Sequence, residues 1–294
     1  MFGSTKNDAL LGVDISNSGI KVVELKNSKG SHRLETYGYA ETKSVSGHEP
    51  FDNLPATAEV LKSIIKTMGA KTKRAIASIS MARVFSSIIN VPLVSDKEIE
   101  GYVTLQAQKL VSAPIGNVQL DWKILDRVEA EKAKRKSLRL LITGAGRDDI
   151  KKYAEIFRLA GLELSSLEPE AFALIRSLVG GDHATVMLID IGATKTNVSI
   201  VEKGVPIMNR SVSVGGVNVT VELGKLLNIS PEEAELMKRD IMAESARTQS
   251  GLPKTVLTAI EPIIQDIDYL FRQFHQDQNT VNGAGIEKVI LTGG

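Results

Sequence analysis

One pattern occurs twice in this chain and limits its fold more than any other feature. The first copy, LGVDISNSGIKVVEL, runs from Leu11 to Leu25. The second, MLIDIGATKTNVSIV, runs from Met187 to Val201. In each, an apolar run ends in Asp-Ile, small polar residues follow, and an alternating strand comes next. Both copies read as strand–turn–strand, one in each half of the chain.

The chemistry of this arrangement is readable. Small residues let the main chain approach an anion closely, and turn N–H groups can point at it. Ser18 and Thr194 add hydroxyl donors, and Lys21 adds a positive charge. If the two halves face each other, so do Asp14 and Asp190. Two carboxylates beside a polyphosphate suit Mg²⁺, which keeps most of its waters and takes few protein ligands. One such hairpin alone is more simply an ordinary tight turn. Two copies in register point to a nucleotide held in a cleft between two similar lobes.

Three further segments fit. Val214-Gly215-Gly216 ends a strand ahead of a helix, and Leu291-Thr292-Gly293-Gly294 ends another strand in glycines. Glu235 and Lys238 lie three apart on one helix face, placed for a ribose or base edge or simply for a surface ion pair.

Composition narrows the function classes. At about 150 residues per domain, 294 residues make about two domains, and 43% hydrophobic residues supply their cores. Lys and Arg number 36 against 35 Asp and Glu, so no basic face for nucleic acid is expected. The absence of cysteine excludes disulfides, thiolate metal sites and a cysteine nucleophile. His32, His48, His183 and His275 are scattered, without metal-ligand spacing. No run approaches the roughly 18 apolar residues of a spanning helix, and Met1 to Ala9 does not read as a signal peptide. The expectation is a soluble intracellular protein that reaches a membrane only through partners.

Elsewhere the chain alternates helix and strand, an α/β pattern. Helices are expected at Leu54 to Met68, after Ser95, at Asp148 to Ala160, Pro169 to Val179, after Ser230, and at Thr255 to His275. Ser95 with Glu98 forms a capping box, Gly161 is a C-cap, and Ser230-Pro231-Glu232-Glu233 is a strong helix start. Strands are expected at Ala75 to Ile79, Phe85 to Pro92, Val118 to Val128, Leu138 to Gly144 and Ile286 to Leu291, with mixed sheets. The charged segment Ala130 to Lys136 reads as a solvated hairpin loop or as a basic contact for a partner.

These motifs resemble the actin-like ATPase superfamily. By that resemblance Asp14, Ser16, Asn17, Ser18 and Lys21 belong to the first phosphate loop. Asp190, Gly192, Ala193, Thr194 and Thr196 belong to the second. Glu168-Pro169, followed by Ala171 and Ala173, is similar to the first connecting helix, where an acidic or amide residue orients the attacking water; Glu168 takes that catalytic place. Gly215, Gly216, Gly293 and Gly294 match the later phosphate and adenosine segments. Ala234-Glu235-Leu236-Met237-Lys238 is similar to the nucleoside-contacting AExxK of bacterial actins. The implied cofactors are ATP and Mg²⁺, the metal held by Asp14 and Asp190 through water, with at most slow ATPase activity.

Within the superfamily the chain resembles the PilM family of type IV pilus assembly, relatives of the division protein FtsA. Ile76 to Ser80, Ile89 to Pro92, the Ser95 helix, Pro114-Ile115 and Val118 to Trp122 are similar to the small α/β subdomain of PilM and FtsA. The resemblance implies a two-lobed, RNase H-like fold. Its first lobe would comprise residues 8–77 and 166–183, with a small inserted subdomain at 78–165. Its second lobe would span 184–294, helical in its outer part at 225–283. It also implies a cytoplasmic adaptor peripheral to the inner membrane. That adaptor grips the N-terminal cytoplasmic peptide of PilN in a groove near the junction of the first large subdomain and the small one, and so meets other inner-membrane platform proteins. A homo-oligomer or filament is compatible with it.

Two features depart from the family pattern. Ser16 stands where the family has glycine, and the chain ends at Gly294 inside the adenosine motif, so a truncated C-terminus is expected. An FtsA-like division protein, a kinase of the same superfamily and an actin-like scaffold without nucleotide remain as alternatives.

Overall fold

The computed structural model describes residues 9–28, 31–41, 51–111, 113–130, 135–249, 251–276 and 285–293. The chain divides into two compact units, Met1–Ala173 and Leu174–Gly294.

The first unit holds a five-stranded sheet. Its strands are β1 (Ala9–Ser16), β2 (Gly19–Ser28), β3 (Ser31–Glu41), β4 (Arg74–Ile79) and β8 (Glu163–Pro169), in the order β3-β2-β1-β4-β8. β1, β2 and β3 pair antiparallel, while β1–β4 and β4–β8 are parallel. Alternation sends Leu11, Val13 and Ile15 of β1 and Ala75, Ala77 and Ile79 of β4 to one face. There they meet Ala58, Leu61 and Ile64 of α1 (Leu54–Met68) and Tyr153, Ile156 and Phe157 of α3 (Arg147–Leu159). The side chain of Asn53 caps α1 by accepting from the Ala56 N–H, and Gly69 ends the helix at φ 66°.

Glu24 breaks the apolar pattern. It pairs with Leu11 on the core side of β2 and is only 2% exposed. Its carboxylate accepts from the Lys71 and Thr72 N–H groups at 3.2–3.3 Å, which fastens the α1–β4 connector. Glu24→Ala leaves two backbone donors without this acceptor and is expected to cost about 1–3 kcal/mol. A urea titration checks it, and an unchanged midpoint would show that water replaces the carboxylate at no cost.

A three-stranded antiparallel sheet completes this unit: β5 (Val84–Pro92), β7 (Arg135–Gly146) and β6 (Val118–Ala130), in the order β5-β7-β6. Helix α2 (Asp96–Leu110) packs Ile99, Val103 and Ala107 against Ile89, Val91, Leu138, Leu140 and Ile142. The N–H and hydroxyl of Ser95 both donate to the Glu98 carboxylate, at 3.0 and 2.7 Å. Of the charged segment 130–136, residues 131–134 lie outside the described residues; β6 extends to Ala130 and β7 resumes at Arg135.

The second unit repeats the strand order. β9 (Val186–Ile191), β10 (Thr196–Glu202), β11 (Val205–Val212) and β12 (Lys288–Gly293) lie in the order β11-β10-β9-β12, with β12 parallel to β9. Both faces of β9 are covered. Met187 and Ile189 meet Leu270 and Phe274 of α7 (Lys254–Gln276), while Val186 and Leu188 meet Ile175 and Val179. Helices α5 (Gly216–Leu227) and α6 (Pro231–Thr248) share a third cluster with α7, through Val219, Leu223, Ala234, Val256 and Ala259.

The helix expected over Pro169 to Val179 divides in two. Glu168 and Pro169 end β8, α4 (Glu170–Leu174) follows, and Ile175–Val179 is π-helical. The Gly180 N–H reaches back to the Ile175 carbonyl at 2.9 Å, widening the last turn. Among the described residues no helix is long and apolar enough to cross a membrane.

Candidate functional site

The two sequence repeats fold into hairpins of the same register. Asp14 pairs with Lys21 across β1–β2, and Asp190 pairs with Asn197 across β9–β10. Each Asp lies near the end of its strand, just before the turn.

In the first unit, cross-strand neighbours share a face of the sheet. Tyr39 pairs with Lys21, Lys21 with Asp14, and Ser78 with Glu168. The Ser78 hydroxyl donates to Asp14 Oδ1 at 3.0 Å and joins these pairs into one polar row across five strands. Glu168 lies on this row at the end of β8, two residues ahead of α4.

Ser16 sits within the turn itself. Its Oγ donates to the Gly19 carbonyl at 3.1 Å and lies 3.0 Å from Ser18 Oγ. The hydroxyl that replaces the family's glycine therefore closes its own hairpin. Gly19 has φ 154°, and a Cβ there would lie 2.3 Å from the Ala40 carbonyl oxygen, so β3 approaches too closely for any side chain.

In the second unit most of the predicted residues join one hydrogen-bonded constellation. The Gly192 N–H donates to the Lys195 carbonyl at 2.9 Å and closes the turn. The carbonyls of Gly192 and Ala193 accept from the Gly216 and Val217 N–H groups, at 3.0 and 2.8 Å. The turn thus docks on the N-terminus of α5, where two otherwise unpaired helix donors bind it. The Gly215 N–H donates to Asn218 Oδ1 at 2.9 Å. Thr196 is fully buried, and its hydroxyl donates to the Val214 carbonyl at 2.8 Å. Gly293 (φ 121°) pairs with Ile191, and Thr292 pairs with Asp190. Asn17, Asp190 and Thr194 each have partners within the protein.

Glu235 and Lys238 of α6 complete the group. Lys238 Nζ donates to Glu235 Oε2 at 2.6 Å, to Thr220 Oγ1 at 3.1 Å and to the Gly216 carbonyl at 3.3 Å. Thr220 Oγ1 donates to the same Glu235 oxygen at 2.6 Å. The pair is therefore more than a surface ion pair: it ties α6 to the start of α5. Burial works against ionisation of Glu235, but hydrogen bonds from Lys238, Thr220 and Arg239 outweigh it and hold its carboxyl below the usual range. The ionised form of Glu235 is therefore favoured, and what its hydrogen bonds contribute is lost only as pH falls below the ordinary carboxylate range.

Of the predicted residues, Asp14, Ser16, Ser18, Lys21 and Glu168 gather on the first unit's hairpin and polar row. Asp190, Gly192, Ala193, Thr196, Gly215, Gly216, Glu235, Lys238 and Gly293 gather in the second. Gly294 lies outside the described residues. Ser78, Thr220 and Asn218 were not legible as part of these groups. Alternation puts Ser78 off the core face, but only the parallel β1–β4 pairing brings it to Asp14.

Within each unit the donors are of a type that Mg²⁺ or a phosphate takes. Each unit presents one carboxylate at a strand end beside a turn of small residues, and α6 adds a lysine–glutamate pair.

Comparison with known proteins agrees with this architecture. A chain of a PilM–PilN type IV pilus biogenesis complex superposes with a TM-score of 0.75 at 23% identity, over 97% of this chain and 81% of that one. The ethanolamine utilization protein EutJ of Carboxydothermus hydrogenoformans gives 0.56 at 15% identity, over 99% and 78%. MreB5 of Spiroplasma citri, solved with ADP, gives 0.55 at 14% identity, over 97% and 84%. The fold is thus the two-lobed actin-like α/β fold. The sequence model of the type IV pilus assembly protein PilM matches residues 12–294. With that match spanning nearly the whole chain, the chain belongs to the PilM family of type IV pilus assembly proteins.

Proposed function

We propose that this chain is an ATP-binding adaptor of type IV pilus assembly that grips the cytoplasmic N-terminal tail of the inner-membrane protein PilN. The observation that carries this reading is the family match over residues 12–294, supported by the likeness to a chain of a PilM–PilN complex. Through PilN the chain would sit at the cytoplasmic face of the inner membrane and meet other platform proteins, alone or as an oligomer.

In this reading the first lobe comprises residues 8–77 and 166–183, the small subdomain 78–165, and the second lobe 184–294. Asp14, steadied by Ser78, and Asp190 hold Mg²⁺ through water. Lys21 and the turns at Ser16–Ser18 and Gly192–Thr194 face the phosphates. Glu235 and Lys238 take the nucleoside side, while Thr196, Gly215, Gly216 and Gly293 keep the second turn in place. Glu168 orients a water for slow hydrolysis. ATP supplies a conformational ligand, which shifts the protein only through different affinities for its alternative states.

The test is fluorescence anisotropy with a labelled peptide of the same organism's PilN tail, with and without Mg²⁺–ATP. Saturable binding that a scrambled peptide does not reproduce is expected. In parallel ATP titrations, Asp190→Ala is expected to weaken binding about tenfold or more. Glu168→Ala is expected to keep ATP affinity and lower turnover. Peptide binding without any ATP binding would leave a scaffold that has lost its nucleotide. No peptide binding would remove the adaptor role.

A further inference from the structure

Helix α6 has a second working face. Ala234 is fully buried, and Glu235 and Lys238 turn toward α5. The other side carries two adjacent apolar residues, Leu236 and Met237, exposed at 63% and 40%. With Ile241 and Pro253 they line an open groove of about 600 Å³.

Its charged lining has one sign. Glu233, Asp240 and Glu244 line the groove, and among the described residues no lysine or arginine does. The three acids lie along one helix and span about 16 Å at 1.5 Å per residue, roughly three turns. Glu233 is held below the usual carboxylate range by hydrogen bonds from the Ser230 N–H and hydroxyl. Glu244 is matched by Arg247 at 2.7 Å. Asp240 is exposed and has no hydrogen bond or ion pair among the described residues.

We propose that this groove is the docking site for a basic amphipathic helix of a partner protein. Apolar side chains of that helix would cover Leu236, Met237 and Ile241, and its lysines or arginines would lie along Glu233, Asp240 and Glu244. Charge complementarity selects this occupant. An acidic segment or an anionic lipid surface would be repelled by Glu233 and Asp240. A neutral apolar segment would leave Asp240 beside a dry contact without a counter-ion, which is costly. Apolar anchors at helical spacing flanked by complementary charge are a general mode of helix-in-groove recognition.

The probe is a fluorescein-labelled peptide of leucine and lysine at helical spacing, about four turns long. Its leucine–glutamate counterpart is the control. Anisotropy is read with the whole chain at two salt concentrations. The lysine peptide is expected to bind with an affinity that falls as salt rises. Asp240→Lys and, separately, Leu236→Ser are each expected to weaken it about tenfold. Both positions are exposed, and unchanged far-UV circular dichroism confirms that the variants fold. Equal binding of the two peptides would overturn the proposal, and so would full affinity in Asp240→Lys. Concentration-dependent dimerisation abolished by Asp240→Lys would also overturn it, by making a second copy of this chain the occupant.

Discussion

Gly215→Ala is expected to unseat the second hairpin from helix α5. A Cβ at residue 215 would lie 2.4 Å from the Gly192 carbonyl oxygen and 2.7 Å from the carbonyl carbon and oxygen of Ala193. All three atoms are backbone, so no side chain can swing away. The turn must move, and its bonds from the Gly216 and Val217 N–H groups lengthen with it. Overpacking typically costs about 1–3 kcal/mol, and contact with backbone on this scale belongs at the upper end. If the hairpin also holds nucleotide, ATP affinity falls together with the melting temperature.

Gly224→Ala on the same helix is the control. There a Cβ would meet its nearest atoms at 3.5 and 3.6 Å, which is ordinary contact, and alanine in a helix interior is expected to gain about 0.5–1 kcal/mol. Thermal unfolding should move the two variants in opposite directions. A wild-type melting temperature for Gly215→Ala would show that the α5–hairpin contact is not tight in solution.

What the sequence revealed about these elements depended on how local their causes are. The duplicated hairpins were readable because a strand ending in Asp-Ile, a short turn and a second strand all lie within fifteen residues, and both copies fold in one register. The parallel partners were only half readable. β4 and β12 were visible as apolar runs, but their placement beside β1 and β9 comes from pairing across long stretches of chain. β3 and β8 escaped notice for compositional reasons. β3 is an edge strand that exposes Leu34, Tyr37 and Tyr39 and turns the small Thr36, Gly38 and Ala40 inward, so its sequence lacks the usual large apolar residues on the buried side. β8 reads ELSSLEP, with two serines and a closing proline, and owes its strand to β4 rather than to propensity.

The candidate site divides along the same line. The acidic, glycine and lysine positions were visible as motifs. Their supports were not. Ser78 reaches Asp14 from another strand, and Thr220 reaches Glu235 from another helix. Ser16 looked like a departure from the glycine pattern, and only the atomic geometry shows its hydroxyl spent on the Gly19 carbonyl. Glu24 misleads in the opposite way, since alternation alone would put an apolar residue at that buried position.

Phe157→Ala is expected to be the most destabilising single change in the first unit and to leave the second nearly untouched. Phe157 is fully buried on α3, in one cluster with Leu11, Val13, Leu61, Ala77 and Ile156. Removing a buried phenylalanine ring typically costs about 3–5 kcal/mol, because the lost burial is compounded by a cavity that its neighbours only partly fill. The buried residues of that cluster all fall between Leu11 and Leu162, whereas those of the second unit's clusters fall between Ile175 and Phe274. Among the described residues no buried side chain belongs to both sets of clusters, so each unit's core is expected to respond by itself. Hydrogen exchange read peptide by peptide separates the possibilities. Amides of α1, α3 and β4 should exchange faster by two or more orders of magnitude, at about 1.4 kcal/mol per tenfold, while those of α7 and β9 keep their wild-type rates. Equal acceleration in both sets would mean that the two units unfold as one cooperative body. Stability would then be a property of the whole chain, and separate cores would not imply separate lobes.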